Sequence, residues 1–220
     1  MNASNDDIAG RFAGLRVGYD APALDPDTAD PDPVAQFHAW FDEVQTAGLP
    51  EPNAMVVATA SPDGIPAART VLLKGLDERG LVFYTNLESA KGRQLAANPQ
   101  AAVVFPWHPL SRQVRVEGTV APVEPETADA YFDSRPLESR LGAWASAQSM
   151  PIEGRDELDA AYAETQQRFE GAEVRRPAFW GGYRIEPVRW EFWVGRVGRL
   201  HDRIEYRRDG DGWSRLRLQP

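Results

Sequence analysis

Apolar residues between positions 54 and 122 come in short runs that are separated by turn-forming residues. The runs are AMVVATA, PAARTVLLKG and GLVFYTN and, after an intervening polar stretch, AAVVFPWHPL and RQVRVEGTVAPV. Short runs rich in β-branched and aromatic residues, bounded by segments such as SPDG and LDERG, predict strands joined by turns. Their close spacing predicts a meander that can close into a barrel.

Helical spacing occurs before, within and after this meander. Asp32 can cap a first helix, Pro33 suits its first turn, and Gly48 ends it. The apolar face of this helix consists of Val34, Phe37, Trp40, Phe41 and Val44. Further helices are predicted in SAKGRQLAANP, PETADAYFDS, PLESRLGAWASAQS and RDELDAAYAETQQRFEG, and strands return in GGYRIEP, RWEFWVG, LHDRIEYRRDG and GWSRLRLQP. The pattern predicts an α+β fold, mainly β, with a barrel core and packed helices.

The N-terminal region differs from the rest of the chain in composition. Residues 20–33, DAPALDPDTADPDP, are mostly Asp, Pro and Ala, with almost nothing to bury. Such a stretch predicts an extended or disordered tether. We therefore expect a flexible segment and tether over residues 1–33 and a single domain over residues 34–220.

Composition narrows the classes of function. The formal net charge is −9, so the chain is a poor general binder of nucleic acid or of anionic membranes. An anion that binds here must meet a local concentration of Arg and Lys. The sequence has no Cys and only three His, without an H-E-x-x-H pair, so no protein metal site is expected. No signal-peptide pattern and no apolar stretch of membrane-spanning length is found, which favours the cytoplasm.

Two segments near the first strands carry candidate ligand contacts. Arg69 and Lys74 bracket the run RTVLLK, and their odd spacing puts them on opposite faces of a regular strand. Either the strand bends, or they touch different parts of one ligand, or they are solvent charges at strand ends. Thr85 lies just before a helix that carries Lys91, and a helix N-terminus with hydroxyls and a Lys can bind phosphate. Ser89 could equally be an ordinary helix cap.

Two further groups point to anions. Tyr131, Arg135 and Ser139 share a face only if the helix is continuous, which Pro136 opposes. They could still converge on a phosphate as three donors. Arg199, His201 and Arg203 alternate, so on a strand they share one face, and their mutual repulsion favours an anion among them. Trp180, Trp190 and Trp193 are expected in the core, as large aromatic residues usually are.

These motifs together resemble the pyridoxine (pyridoxamine) 5′-phosphate oxidase family. The resemblance runs from about Arg16 to Pro220. Its most specific stretches are RTVLLKG, VFYTN with SAKG, FPWHPLSRQVRVEG, YFDSRP, LGAWASAQS, and FWGGYRIEP through EFWVGRVGRLHDR to RLQP. It implies an FMN-binding split β-barrel that works as a homodimer, with FMN at the subunit interface and a C-terminal region for dimerisation and substrate binding. It also implies oxidation of pyridoxamine or pyridoxine 5′-phosphate to pyridoxal 5′-phosphate, with O2 reduced to H2O2.

The resemblance assigns site residues as well. The implied FMN contacts are Arg69, Thr70, Val71, Leu72, Leu73, Lys74, Tyr84, Thr85, Lys91, Gln113, Gln148, Ser149, Trp193 and Arg203. The implied substrate contacts are Lys74, Tyr131, Arg135, Ser139, Arg199 and His201, with Arg16 and Tyr19 on a segment that can fold over the substrate. Arg199 and His201 are also the implied catalytic residues, while Asp202 points away as a structural partner.

This chain departs from the family pattern at two positions. Ala90 stands where many members have a basic residue, and Val17 follows Arg16 where some have a second arginine. Two alternative functions stay open. One is a related split-barrel flavin oxidase with another substrate, such as those of phenazine biosynthesis. The other is a non-catalytic carrier of flavin or pyridoxal phosphate.

Overall fold

The structure is a computed structural model that describes residues 12–15, 18–19 and 21–220. The helices in this part of the chain are α1 Pro33–Thr46, α2 Ala90–Ala97, α3 Pro125–Asp133, α4 Leu137–Ala145 and α5 Arg155–Arg168. The strands are β1 Ala54–Ala60, β2 Pro66–Leu72, β3 Gly75–Asp77, β4 Gly80–Asn86, β5 Gln100–Phe105, β6 Arg112–Pro122, β7 Trp180–Val194, β8 Asp202–Asp209 and β9 Gly212–Arg217. Two short 3-10 turns lie at His108–Leu110 and Val197–Arg199.

The strands form one antiparallel sheet in the order β2-β1-β5-β6-β7-β4-β3, and β8 and β9 extend it from β7. One edge of β7 pairs with β4 in its first part and with β8 in its second part. The other edge of β7 pairs with β6. Beyond the end of β2, Lys74 N donates to the Val82 carbonyl of β4 at 2.8 Å, which brings the two ends of the sheet together. The predicted mainly β fold with a barrel-like core and packed helices is confirmed.

One strand differs from the sequence expectation. GGYRIEP and RWEFWVG, predicted as two strands, form the single strand β7, which continues through Pro187. Pro187 donates no hydrogen bond, and the register between β6 and β7 shifts between Glu117 and Gly118, opposite this position. A Cβ on Gly118 would lie 2.1 Å from the Glu186 carbonyl oxygen, so this bulge requires a glycine.

The core lies inside the curled sheet and is closed at one side by α1. Phe37 and Trp40 of α1 contact Phe105 and Phe192 with ring centroids 4.9 and 5.2 Å apart. Asp32 caps the helix by accepting a hydrogen bond from Val34 N at 3.0 Å, as predicted. Trp190 lies in the core, as expected, and is fully buried.

Residues 21–33, which we call the N-terminal strap, pack on the barrel instead of forming the expected tether. Leu24 and Ala29 are buried in the main core. The Tyr206 hydroxyl donates to the Asp30 carbonyl at 2.7 Å, and Arg215 donates to the Ala29 carbonyl at 2.5 Å. Two small apolar contacts and donors from the barrel to backbone carbonyls are enough to hold the strap, so composition alone missed this packing. A single catalytic domain over residues 34–220 stays a prediction.

Within the described residues, no helix is long and apolar enough to cross a membrane. The same part of the chain holds no group of three or more His, Asp or Glu side chains placed to bind a metal ion.

Candidate active site

A cavity of about 520 Å³ opens where the ends of β2 and β4 meet α2, α3 and α4. It brings together distant parts of the sequence and contains most of the predicted phosphate-binding residues. The lining residues are Thr70, Val71, Leu72, Lys74, Tyr84, Thr85, Asn86, Lys91, Tyr131, Arg135, Ser139, Gly142, Ala143, Ser146, Gln148 and Trp180.

One corner of the cavity is built on the N-terminus of α2. Ser89 caps this helix by accepting a hydrogen bond from Gly92 N at 3.3 Å. Lys91 is buried, and its Nζ donates to Thr85 Oγ1 at 3.1 Å and to Gln148 Oε1 at 2.9 Å. A Cβ on Gly92 would lie 1.9 Å from the Leu87 carbonyl oxygen, so the helix starts this close to β4 only with a glycine there. The interpretation of Ser89 as a helix cap is therefore confirmed, and phosphate binding at this helix N-terminus stays a prediction.

Burial lowers the pKa of Lys91, and the nearby Arg69 guanidinium lowers it further. Arg69 itself donates to Thr59 Oγ1 at 2.5 Å and to Gln94 Oε1 at 3.2 Å, and it does not line the cavity. Lys74 follows the end of β2 and lines the cavity. Lys74 therefore lines the cavity and Arg69 does not, and the strand alternation does not apply to Lys74, which lies beyond the end of β2.

A wall of parallel aromatic rings forms another side of the cavity. The Tyr84 and Tyr131 rings stack with centroids 3.9 Å apart, and Tyr84 stacks on Trp180 at 5.5 Å. The Arg135 guanidinium lies 4.7 Å from the Trp180 ring centroid. Trp180 is buried in a smaller apolar cluster with Phe132 and Leu141, as expected for a core residue, and it also lines the cavity. Its only signal in the sequence was its place in the FWGGYRIEP stretch.

Arg135 is poised to bind an acceptor. Its Nη1 is buried and has no hydrogen-bond partner among the described residues. Burial lowers its pKa, with an opposing effect from Tyr131. Leaving a buried donor unpaired costs about 1–3 kcal/mol, which an anion in the cavity would recover. Pro136 separates α3 from α4, and Tyr131, Arg135 and Ser139 converge on the cavity because the chain turns there.

Two other predicted FMN contacts from this half of the chain lie outside the cavity lining. Leu73 is buried in the main core, and its N–H donates to the Asn53 carbonyl at 2.8 Å. Ser149 follows the cavity residue Gln148 and is exposed, with a left-handed φ of 72°.

A second group, which we call the C-terminal cluster, consists of Tyr19, Gln113, Trp193, Arg199, His201 and Arg203. The Trp193 ring lies 4.6 Å from the His201 ring and 5.7 Å from the Tyr19 ring, and Arg199 lies 5.2 Å from the Tyr19 ring centroid. Gln113 and Arg203 flank Trp193 in the neighbouring strands. Trp193, expected in the core, is only partly buried. Arg16 lies outside the described residues.

The strand alternation predicted for Arg199, His201 and Arg203 is wrong. β8 begins at Asp202, and Arg199 ends the 3-10 turn with a left-handed φ of 64°, directly after Gly198 with φ 69°. Two consecutive left-handed residues reverse the chain, so Arg199 and His201 meet through a turn and not along one strand face. A Cβ on Gly195 would lie 2.6 Å from the Tyr19 ring, so the chain at Gly195 provides space for that ring.

Arg203 is held by a buried carboxylate. Its Nε and Nη2 donate to Glu191 at 2.9 and 3.1 Å, and its Nη1 donates to the Gln219 carbonyl at 2.7 Å. Glu191 also accepts from Arg115 at 3.0 Å. The hydrogen bond that Arg203 donates to Glu191 raises the pKa of Arg203. Asp202 pairs with Arg217 at 2.8 Å, in line with the structural role that the sequence suggested.

The cavity and the C-terminal cluster are separate within the described chain. None of the six cluster residues lines the cavity. The implied FMN contacts and the implied substrate contacts are therefore each divided between the cavity and the C-terminal cluster, and their roles stay predictions.

The curled sheet and the cation-lined cavity at its strand ends define an FMN-binding split β-barrel. One solved structure of similar fold is PhzG from Burkholderia lata 383 in complex with tetrahydrophenazine-1-carboxylic acid. It has a TM-score of 0.84 and 32% sequence identity, over 91% of this chain and 99% of that chain.

The family description "Pyridoxamine 5′-phosphate oxidase" matches residues 41–169, and "Pyridoxine 5′-phosphate oxidase C-terminal dimerisation region" matches residues 180–220. A relative from Rubrobacter xylanophilus, named pyridoxine/pyridoxamine 5′-phosphate oxidase, is 60% identical over 95% of this chain and 96% of its own length. One of the same name from Cupriavidus taiwanensis is 55% identical over 96% and 99%. The chain belongs to the pyridoxamine 5′-phosphate oxidase family. This family uses FMN as its cofactor.

Proposed function

We propose that this chain is an FMN-dependent oxidase that converts pyridoxamine 5′-phosphate and pyridoxine 5′-phosphate to pyridoxal 5′-phosphate, with O2 reduced to H2O2. The names of the relatives from R. xylanophilus and C. taiwanensis support this activity. One observation carries the proposal. Lys74, Lys91 and Arg135 line one cavity, and none of them forms an ion pair within the described residues. A cavity with three unpaired cations in an acidic protein is suited to ligands that bring phosphate groups.

The residues at the start of α2 fit the phosphate of FMN. The Lys91 ammonium, the Thr85 hydroxyl and the Gln148 amide are within hydrogen-bond distance of one another and are typical phosphate partners. The nearby Arg69 adds positive charge, while Ala90 offers no side-chain donor. Thr70, Val71 and Leu72, at the end of the edge strand β2, line the same cavity. Bound FMN supplies the two-electron oxidation of the C4′ carbon of the substrate.

The part of the cavity that contains Lys74 and Arg135 suits the phosphate of the substrate. Lys74, Tyr131, Arg135 and Ser139 present an ammonium, a phenol, a guanidinium and a hydroxyl to one space. Hydrogen bonds to charged groups contribute about 1.5–3 kcal/mol each, so two or three hold a small phosphoester firmly. The unpartnered Nη1 of Arg135 would gain its missing acceptor from this phosphate.

The remaining contacts come from the C-terminal cluster, and we propose that a second copy of the chain provides them. Residues 180–220 match a region described as a dimerisation region, and they hold Trp193, Arg199, His201 and Arg203. In a homodimer with FMN at the interface, Trp193 and Arg203 would contact FMN. Arg199 and His201 would orient the pyridine ring and its C4′ group as catalytic residues, and Tyr19 would cover the substrate.

Oxygen uptake by the FMN-loaded protein tests the proposed function. Addition of pyridoxamine or pyridoxine 5′-phosphate should start O2 consumption and form pyridoxal 5′-phosphate and H2O2 in equal amounts. With the amine, each turnover also consumes one water and releases one ammonia. A tetrahydrophenazine carboxylic acid is the matched comparison, because the PhzG structure holds such a ligand. Turnover of that compound alone would replace the proposal with the related oxidase. FMN binding without oxygen uptake from any of these compounds would leave a flavin carrier.

A further inference from the structure

The imidazole of His201 is held by the backbone of its own turn. The N–H of Arg196 donates to His201 Nδ1 at 3.2 Å. A ring nitrogen that accepts a hydrogen bond cannot carry a proton, so the proton of the neutral ring sits on Nε2. Nδ1 is therefore occupied, and Nε2–H is the group that His201 can offer to a ligand.

The surroundings of His201 favour the neutral ring. Its aromatic neighbours are Trp193, at 4.6 Å between ring centroids, and Tyr19, at 5.7 Å. The charged groups around it are the cations of Arg199 and Arg203, and no described carboxylate pairs with the ring. Burial lowers the pKa of His201 below its ordinary value, and Arg199 and then Arg203 lower it further.

The donor of this hydrogen bond is fixed in turn. Arg196 Nε lies 3.5 Å from Asp202 Oδ2, and Arg196 Nη1 donates to the Ala21 carbonyl of the N-terminal strap. Asp202 also accepts from Leu24 N at 3.2 Å and pairs with Arg217 at 2.8 Å. Asp202 thus connects the strap, β9 and the turn that carries the N–H of Arg196.

From this geometry we propose that His201 acts in the oxidase as a neutral hydrogen-bond donor through Nε2–H and not as a proton acceptor. We also propose that Arg196 and Asp202 are the positioning residues that fix this tautomer. The role depends on the function proposed above, because it concerns one residue of that site. A donor at Nε2 suits an oxygen acceptor of the ligand, such as the phenolic oxygen of the pyridoxamine ring.

Nitrogen NMR of the FMN-loaded protein tests the tautomer directly. The sequence has three histidines, so each ring can be assigned by replacing one at a time. At pH 7 we expect His201 to show an unprotonated Nδ1 and a protonated Nε2. An unprotonated Nε2, or a ring protonated on both nitrogens, would overturn the proposal. This measurement needs no turnover. A wrong tautomer would therefore overturn this proposal alone, and missing oxidase activity would overturn the proposed function alone.

Two isosteric variants test the role of each nitrogen. The amide nitrogen of Gln can occupy the place of Nε2, whereas that of Asn lies near the place of Nδ1. We expect H201Q to keep about tenfold more kcat/KM for pyridoxamine 5′-phosphate than H201N, which corresponds to one hydrogen bond. Equal loss in both variants, or better activity in H201N, would contradict a donor at Nε2.

The pH profile tests whether the ring is neutral. Protonation of Nδ1 displaces the N–H of Arg196, and the pKa of His201 is lowered, so kcat/KM should fall only when the pH drops below the ordinary histidine pKa of about 6.5. A loss of activity that begins near or above that value would show a protonated ring and overturn the proposal.

Asp202→Asn tests the positioning residues, with Asp209→Asn as the control, because Asp209 is an exposed acid at the far end of β8. D202N should give His201 a second set of nitrogen signals from the other tautomer and lower kcat/KM about threefold, by loss of part of one hydrogen bond. D209N should change neither. A single unchanged tautomer in a folded D202N protein would remove Asp202 from this role.

Discussion

Basic side chains are concentrated both in the cavity and on the outer face of β6, β7 and β8. Those on the sheet are paired with carboxylates, and those in the cavity are not. On the sheet, Arg115 and Arg203 share the buried Glu191, and Arg189 lies between Glu117 and Glu205. In the cavity, Lys74, Lys91 and Arg135 have no such partner within the described residues.

This difference separates structural cations from ligand-binding ones. A buried carboxylate fixes its arginine and cancels its charge, so the pair maintains the sheet. A cation without a carboxylate keeps its charge for a ligand. Arg199 lies beside the sheet but resembles the cavity cations. It forms no ion pair with the described residues, and its guanidinium lies against the Tyr19 ring. The pairing state therefore distinguishes Arg199, a substrate candidate, from Arg203, which is held from behind by Glu191.

The sharpest test of this rule is Arg135→Met. Loss of two charged hydrogen bonds to the substrate phosphate should lower kcat/KM about a hundredfold, mainly through a higher KM. The thermal midpoint should change little, because the buried Arg135 Nη1 has no protein partner and only the contact of the guanidinium with the aromatic rings is lost. Arg176→Met is the control, since Arg176 pairs with Asp129 at 2.6 Å and should lower stability instead. An unchanged KM in R135M would remove Arg135 from the phosphate site.

Lys91 should dominate FMN binding. We expect K91M to raise the Kd for FMN about thirtyfold, measured by quenching of flavin fluorescence. Because burial lowers the pKa of Lys91, the wild-type Lys loses its charge at a lower pH than an ordinary Lys. FMN affinity should therefore decrease as the pH rises toward 10, and K91R should abolish this dependence. The same alkaline loss in K91R would assign the titration to another group.

Glu191→Gln tests the structural side of the comparison. Removal of the charge that holds Arg115 and Arg203 should destabilise the protein by about 3 kcal/mol in denaturant unfolding. It should also weaken FMN binding about tenfold, because Arg203 loses its fixed orientation. Glu173→Gln is the matched control, since Glu173 pairs with Arg175 at an exposed site and should cost less than about 1 kcal/mol. Equal effects from the two variants would show that the buried network is not special.

Gly195→Ala should have the smallest effect. The new methyl group would lie 2.6 Å from the Tyr19 ring and displace it from Trp193 and His201. We expect KM to rise about threefold, by loss of part of one aromatic contact, with little change in stability. Gly154→Ala serves as the control, because a Cβ there meets nothing within 4 Å. An unchanged KM in G195A would show that the position of the Tyr19 ring against Gly195 does not contribute to substrate binding.

Local patterns predicted most of the fold. Strand runs, turn residues and the Asp32 cap were sufficient for α1 and for the meander, because each depends on neighbours in sequence. The N-terminal strap was missed, since its carbonyls are held by Tyr206 and Arg215 from the far end of the chain. The continuity of β7 was also missed, because only the bulge at Gly118 makes Pro187 tolerable in a strand.

The site could be predicted as a set of residues but not as an arrangement. Family motifs named Lys91 and Arg135, and the structure places both in one cavity. No local pattern could show that Arg199 sits in a left-handed turn, or that Trp180 supports Arg135. Those features depend on contacts between segments far apart in sequence.

The separation of the cavity from the C-terminal cluster has a genetic consequence under the proposed shared site. An allele with Arg135→Met damages the cavity, and an allele with Arg199→Ala damages the cluster. A cell that expresses both makes mixed dimers in which one of the two sites is intact and the other carries both lesions. Random pairing leaves about a quarter of all sites intact. Two alleles that each fail alone would then complement each other and restore growth without added vitamin B6.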